Sequence, residues 1–170
     1  MTDRSPPGKD VDAFRLDDFL PYRLSVVSNR VSRAIAAGYE EEFGLNISEW
    51  RALAVVAASC DMSQAEVARR TRMDKVAVSR AVRGLIDRTF VTARAHPDDG
   101  RSRLLTVTAE GRVVYDEILP RVEEAADSIF EGLTATDRDR LFDLLARVEA
   151  AVDALDGLDT LVARDKTGDA

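Results

Sequence analysis

The sequence predicts a mainly α-helical fold that carries one small β-hairpin. Three observations predict it. Apolar residues recur at spacings of three and four through most of the 170-residue chain. Several of these stripes open on a side chain that can cap a helix. A single pair of β-prone runs brackets a tight polar turn, "HPDDGRSRLL" at 96–105.

The elements follow in order. Residues 1–16 are polar and proline-bearing and read as a flexible arm. Leu20, Leu24, Val27, Val31 and Ile35 draw one stripe, which predicts a first helix over 17–42 with Gly44 just past its end. Ser48 is placed to cap a second helix, 49–59. "SQAE" at 63–66 is a capping-box pattern and opens a short third helix to about 71. After a break at "RMD", Asp74 caps a fourth helix through 88, whose inner stripe is Val78, Val82, Leu85 and Ile86. "FVTARA" and "RLLTVT" then make a two-stranded hairpin over 90–108. Thr108 caps a fifth helix to about 131, which Pro120 is expected to bend. "TATD" at 134–137 opens a sixth, with a heptad-like stripe of Leu141, Leu144, Val148, Val152 and Leu155. Residues 157–170 read as a frayed tail.

Helix, short capped helix, tight turn, helix, hairpin is the order of a winged helix-turn-helix, with the fourth helix placed to enter a major groove and the hairpin as the wing. The charge distribution agrees with that reading, although the net charge of −7 at first argues against a nucleic-acid partner. Residues 62–105 hold ten Arg and Lys against five acids, so this segment is +5 and the remainder −12. Local sign decides which surface meets phosphates. The expected contacts are Arg80 to guanine, Lys75 and Arg83 to phosphates, Val76 and Ala77 to a thymine methyl, and Ser79 beside them. Ser63 and Gln64 open the third helix, where a phosphate can sit; Ser63 can equally serve as a cap alone. At the wing, Asp99 can hold the Arg101 guanidinium toward DNA, and Arg103 supplements it.

The fourth helix "MDKVAVSRAVRGLIDRTFV", the wing "HPDDGRSRLLTVTAEGR" and "FGLNISEWRALAVVA" resemble the multiple-antibiotic-resistance regulator (MarR) family of bacterial transcription regulators. The resemblance spans about 17–156. Gly100 departs from it, standing where family members often carry a basic residue. The resemblance implies a homodimer in which 17–44 and 109–156 interlock as a dimerisation region and 45–108 forms the DNA-binding region. It also implies a pseudo-palindromic double-stranded operator, repression, and a small effector bound between the two regions; the aromatic ring of Trp50 beside Arg51 suits an aromatic or anionic one. Ser25, Asn29, Tyr39, Trp50 and Arg51 are the candidate pocket residues. The plainer alternative is a core tryptophan beside a structural arginine.

Other classes fit less well. One histidine, His96, and one cysteine, Cys60, cannot supply the usual His/Cys metal set, and no cofactor motif is visible. No nucleophile–base pairing or phosphate-binding glycine loop suggests an enzyme. Neither a run of about 18 apolar residues nor a signal-peptide core is present, so a cytoplasmic protein with no membrane partner is expected. Two alternatives remain. One is a winged-helix protein-interaction module that binds no DNA; the other is a redox-sensing regulator acting through Cys60, which the resemblance disfavours, because the family's sensing cysteine would lie in "FLPYRLS", which has none.

Overall fold

A computed structural model of the chain describes residues 14–59, 61–95 and 103–165, with side chains as far as Leu155. Cys60, His96, Asp99, Gly100 and Arg101 lie outside the described residues. The chain divides into two units, 1–126 and 127–170.

In the first unit a 3-10 turn, Leu16–Asp18, leads into α1 (Leu20–Ala36), with Pro21 in its first turn, where its missing N–H costs nothing. The expected single helix to 42 is interrupted at 37–39. A separate one-turn helix, α2 (Glu40–Phe43), follows and ends on Gly44 in the left-handed region, φ 64°. The break has a packing cause. Tyr39 turns into the core, where it is 1% exposed, and burial together with neighbouring Glu40 pushes its hydroxyl up to about 12.

Helix α3 (Ile47–Ala57) is capped by Asn46 rather than Ser48. Asn46 Oδ1 accepts from the amides of Ser48 (2.9 Å) and Glu49 (3.0 Å), and the Glu49 carboxylate accepts from the Asn46 amide (2.9 Å). This reciprocal box buries Glu49 against α5 (Lys75–Asp87) at Gly84. A Cβ on Gly84 would overlap the Glu49 carboxylate, which explains a glycine inside a helix.

Two residues, Met62–Ser63, form a strand β1 that no pattern in the sequence announces. It pairs with β3 (Arg103–Val107), which also pairs with β2 (Val91–Ala95), so the wing is part of a three-stranded antiparallel sheet in the order β1-β3-β2. The hairpin runs in register from Val91 opposite Val107 to Ala95 opposite Arg103. Helix α4 (Gln64–Thr71) follows β1 directly. The core lies between α3, α4, α5 and the sheet, around Leu53, Val56, Val67, Val78, Val82, Leu85 and Leu105.

Helix α6 (Ala109–Phe130) continues through Pro120 and crosses the boundary between the units. Its start explains why Gly111 stands three residues after Thr108. Thr108 Oγ1 accepts from the Gly111 amide (2.9 Å) and donates to the Thr89 carbonyl (2.6 Å), and the Thr108 amide donates to the Phe90 carbonyl (3.0 Å). That carbonyl then sits against Gly111, where a Cβ would overlap it. Backbone on both sides cannot yield as a side chain can. Gly111→Ala is therefore expected to destabilise the protein at the upper end of the usual overpacking cost of about 1–3 kcal/mol. The check is a lower urea midpoint with an unchanged m-value.

In the second unit α7 (Ala135–Asp165) runs ten residues beyond the last apolar position of its sequence stripe, Leu155. Thr134 and Asp137 cap it reciprocally: Thr134 Oγ1 accepts from the Asp137 amide (3.2 Å) and Asp137 Oδ2 from the Thr134 amide (3.1 Å). Hydrogen bonds from Thr134 hold the Asp137 carboxyl below its ordinary range. No described helix is long and apolar enough to cross a membrane.

Candidate nucleic-acid interface

Helices α4 and α5 form the bihelical unit. Ser63 caps α4, accepting from the Glu66 amide at 3.2 Å. Glu66 does not complete the expected reciprocal box. Its carboxylate is instead taken by Arg69 Nε (2.8 Å) and Arg70 Nε (2.7 Å), which hold it down at about 2. The turn closes with Arg72 in the left-handed region, φ 54°, and Asp74 Oδ1 caps α5 through the amides of Val76 and Ala77, each at 2.8 Å.

The caps fix the rotation of α5. Val78, Ala81, Val82 and Leu85 face the core, while Lys75, Val76, Arg80, Arg83 and Asp87 are exposed. Ala77 and Ser79 are half-buried on the flanks. Ile86 corrects the sequence reading: it is 38% exposed, and Ala81 takes its place in the inner stripe. At i, i+4 and i+7 spacing, Val76, Arg80 and Arg83 share one face.

Eight of the ten cations of 62–105 sort into two groups. Arg69 and Arg70 bind Glu66, Arg88 donates to the Phe43 carbonyl (3.0 Å), Arg94 pairs with Asp61 (2.5 Å), and Arg103 donates to the Ala93 carbonyl (2.8 Å). Lys75, Arg80 and Arg83 make no hydrogen bond or ion pair among the described residues and lie together on the outer face of α5. Gln64, at the start of α4, is exposed and likewise makes none among them. The outer face of α5 thus presents three unpaired cations around an exposed valine, with donors and an apolar surface suited to base edges and phosphates.

A second feature lies between α1 and α3. A cleft of about 380 Å³ is lined by Ser28, Asn29, Ser32, Arg33, Ile47 and Arg51. Arg51 Nη2 donates to Ser32 Oγ (2.9 Å), and Arg33 Nε to the Asn29 carbonyl (3.3 Å). Of the five pocket residues expected from sequence, Asn29 and Arg51 line this cleft. Ser25 is exposed on α1 outside its lining. Tyr39 and Trp50 belong to the core instead: their rings lie 5.6 Å apart, and Trp50 stacks on Tyr115 at 5.7 Å. Ser28, Ser32 and Arg33 were missed. Their signal was present, since Ser28/Ser32 and Asn29/Arg33 are both i, i+4 pairs on a polar face of α1. No cluster of three or more potential metal ligands occurs among the described residues.

Residues 43–102 match the model of the MarR family. The HTH-type transcriptional repressor YetL of Bacillus subtilis (strain 168) is 24% identical over 148 residues, which is 85% of this chain and 86% of that one. A probable transcriptional regulator from Pseudomonas aeruginosa is 29% identical, with a TM-score of 0.69 over 79% of this chain and 99% of that one. CouR from Rhodococcus jostii RHA1, solved bound to p-coumaroyl-CoA, is 25% identical, with a TM-score of 0.69 over 79% and 94%. With its capped helix-turn-helix, its hairpin wing and the cationic outer face of α5, the chain has the winged helix-turn-helix architecture of DNA-binding transcription regulators and is similar over residues 43–102 to the MarR family.

Proposed function

We propose that the protein is a homodimeric repressor that binds a pseudo-palindromic duplex and loses affinity for it when a small anionic ligand occupies the α1/α3 cleft. The observation that carries the DNA half is the set of unpaired cations on α5, Lys75, Arg80 and Arg83. In this reading Arg80 reads a guanine, Val76 and Ala77 meet a thymine methyl, and Ser79 lies alongside. Lys75, Arg83, Gln64 and the capped start of α4 at Ser63 hold phosphates. The wing brings Arg101 to the duplex, oriented by Asp99, with Arg103 behind it.

Dimerisation is supported by apolar side chains that each unit leaves exposed. On α1 these include Leu20, Leu24 and Val27; on α7 they include Leu141, Leu144, Leu145, Val148, Val152 and Leu155. A second copy supplies the matching surface symmetrically. Segments 17–44 and 109–156 would then form the dimerisation region, and 45–108 the DNA-binding region. Repression is supported by the similarity to YetL, and ligand response by the similarity to CouR. Two arginines on a cleft otherwise lined by serines, an asparagine and one isoleucine favour an anion.

Selection from a pool of randomised duplexes tests the reading. It should return an inverted repeat whose half-sites lie about one helical turn apart, roughly 10 base pairs. Binding to the selected duplex should be salt-sensitive despite the acidic total charge, with log K falling against log salt at a slope of about −4 to −8. Failure to enrich any sequence, or a flat salt response, would remove the α5 face as a DNA-binding surface.

A further inference from the structure

The last residue before β1, at the end of the link from α3, is an aspartate in an unusual conformation. Asp61 has φ 33°, a left-handed backbone that non-glycine residues adopt only when held there. Its carboxylate is gripped on both oxygens. Oδ1 accepts from Thr106 Oγ1 on β3 at 2.6 Å, and Oδ2 from Arg94 Nη2 on β2 at 2.5 Å. In the hairpin register Thr106 lies opposite Thr92 and Arg94 opposite Leu104, so the two partners are diagonal neighbours on one face. One carboxylate therefore ties both strands of the wing to a single point. That point is two residues from Ser63, the cap of α4, and β1 between them pairs with Leu104 and Leu105 of the wing.

We propose that Asp61 is a positioning residue for DNA binding: by clamping β2 and β3 to the start of α4, it sets the direction in which the wing leaves the helix-turn-helix. Val91 and Leu105 pack the inner face of the sheet on the helices, and Asp61 adds a polar tie on its exposed face; wing and recognition helix must meet one rigid duplex at once. A wing free to swing would lose entropy on binding, and a wing held at the right angle has already lost it. Asp61 need not touch DNA. It is an anion in the basic lobe, and Arg94, which it neutralises, would otherwise be a free cation there. Its presence against that electrostatic grain is what a positioning role explains.

The same fact gives the test its sign. Removing Asp61 deletes a negative charge near phosphates and frees Arg94, so electrostatics alone predicts tighter binding. The clamp predicts weaker binding. The proposal rests on the reading of the hairpin as a DNA-touching wing, so Arg101→Ala is measured in parallel. On the duplex that the wild-type protein selects, at fixed salt, Asp61→Ala should bind about tenfold more weakly, the scale of losing a charged hydrogen-bonded pair. Its salt slope should become shallower by about one for each phosphate that the wing no longer reaches. Amide exchange should quicken at 91–95 and 103–107 and stay unchanged in α3 and α5. The Asp61–Arg94 pair is half-exposed, so the thermal midpoint should barely move. If Asp61→Ala does not fold, two milder variants decide. Asp61→Asn tolerates the left-handed backbone and keeps an acceptor for Thr106, and Thr106→Val removes one bond only; each should weaken binding by less. Unchanged or tighter binding in these variants overturns the clamp. Weakening by Arg101→Ala but not by any of them leaves the wing contact standing and the clamp refuted. Weakening by them but not by Arg101→Ala supports the clamp and refutes the wing-tip contact.

Discussion

Truncation before Asp137 should abolish both the proposed dimer and operator binding. The truncated chain loses nearly all of α7, including Leu141, Leu144, Leu145, Val148, Val152 and Leu155, all exposed in the single chain. Full burial of such a side chain is worth about 1.5–3 kcal/mol, and these are roughly half-exposed, so covering the six is worth roughly 5–9 kcal/mol per protomer. That is comparable with the whole stability of a typical domain, about 5–15 kcal/mol. The apolar face that α1 is proposed to present to the partner would be left uncovered, so aggregation is expected as well as dissociation. Sedimentation velocity and a band-shift on the selected duplex check both. A soluble monomer that binds that duplex with wild-type affinity would contradict the dimeric architecture.

Arg80→Ala should weaken operator binding by about 1–3 kcal/mol per contact, and a dimer makes that contact twice. It should also relax preference at one base position in each half-site, because the missing donors discriminate a base edge. Arg101→Ala should behave differently. A wing contact is to backbone or to the degenerate minor groove, so affinity should fall for most sequences alike. Asp99→Ala separates two explanations of the wing motif. If Asp99 orients Arg101, its removal weakens binding; if it merely closes a turn, losing its charge leaves binding unchanged or tighter. Competition titrations across single-base variants of the selected duplex read all three at once.

What was legible in the sequence was what depends on near neighbours. The stripe of α5, Ile86 apart, and its Asp74 cap involve residues within a few positions, and they appear where periodicity and capping place them. Thr108 as the cap of α6 and "TATD" at the head of α7 are equally local. The failures are tertiary. Strand β1 is two residues long, and its pairing with Leu104 and Leu105 spans some forty positions, too short and too distant for periodicity to register. The first helix breaks because Tyr39 must reach the core, which a stripe count cannot see. Trp50 beside Arg51 looked like a ligand pair, yet consecutive residues on a helix point about 100° apart; Trp50 turns inward to Tyr115 and Arg51 outward to Ser32. The positive segment was visible as a sum, but not its partition. Which arginines are neutralised depends on partners as distant as Asp61 from Arg94 or Phe43 from Arg88.

The central claim is that two copies of the outer face of α5 read major-groove guanines in one duplex. Guanine N7 lies on the major-groove edge and reacts with dimethyl sulfate unless a donor covers it. Protection of the selected duplex measures the claim directly. The wild-type protein should protect one or more guanines in each half-site, two patches about 10 base pairs apart. At concentrations that still saturate the duplex, Arg80→Ala should lose protection at the same guanine in both. Protection in a single patch, or a pattern that Arg80→Ala leaves intact at saturation, would contradict the account.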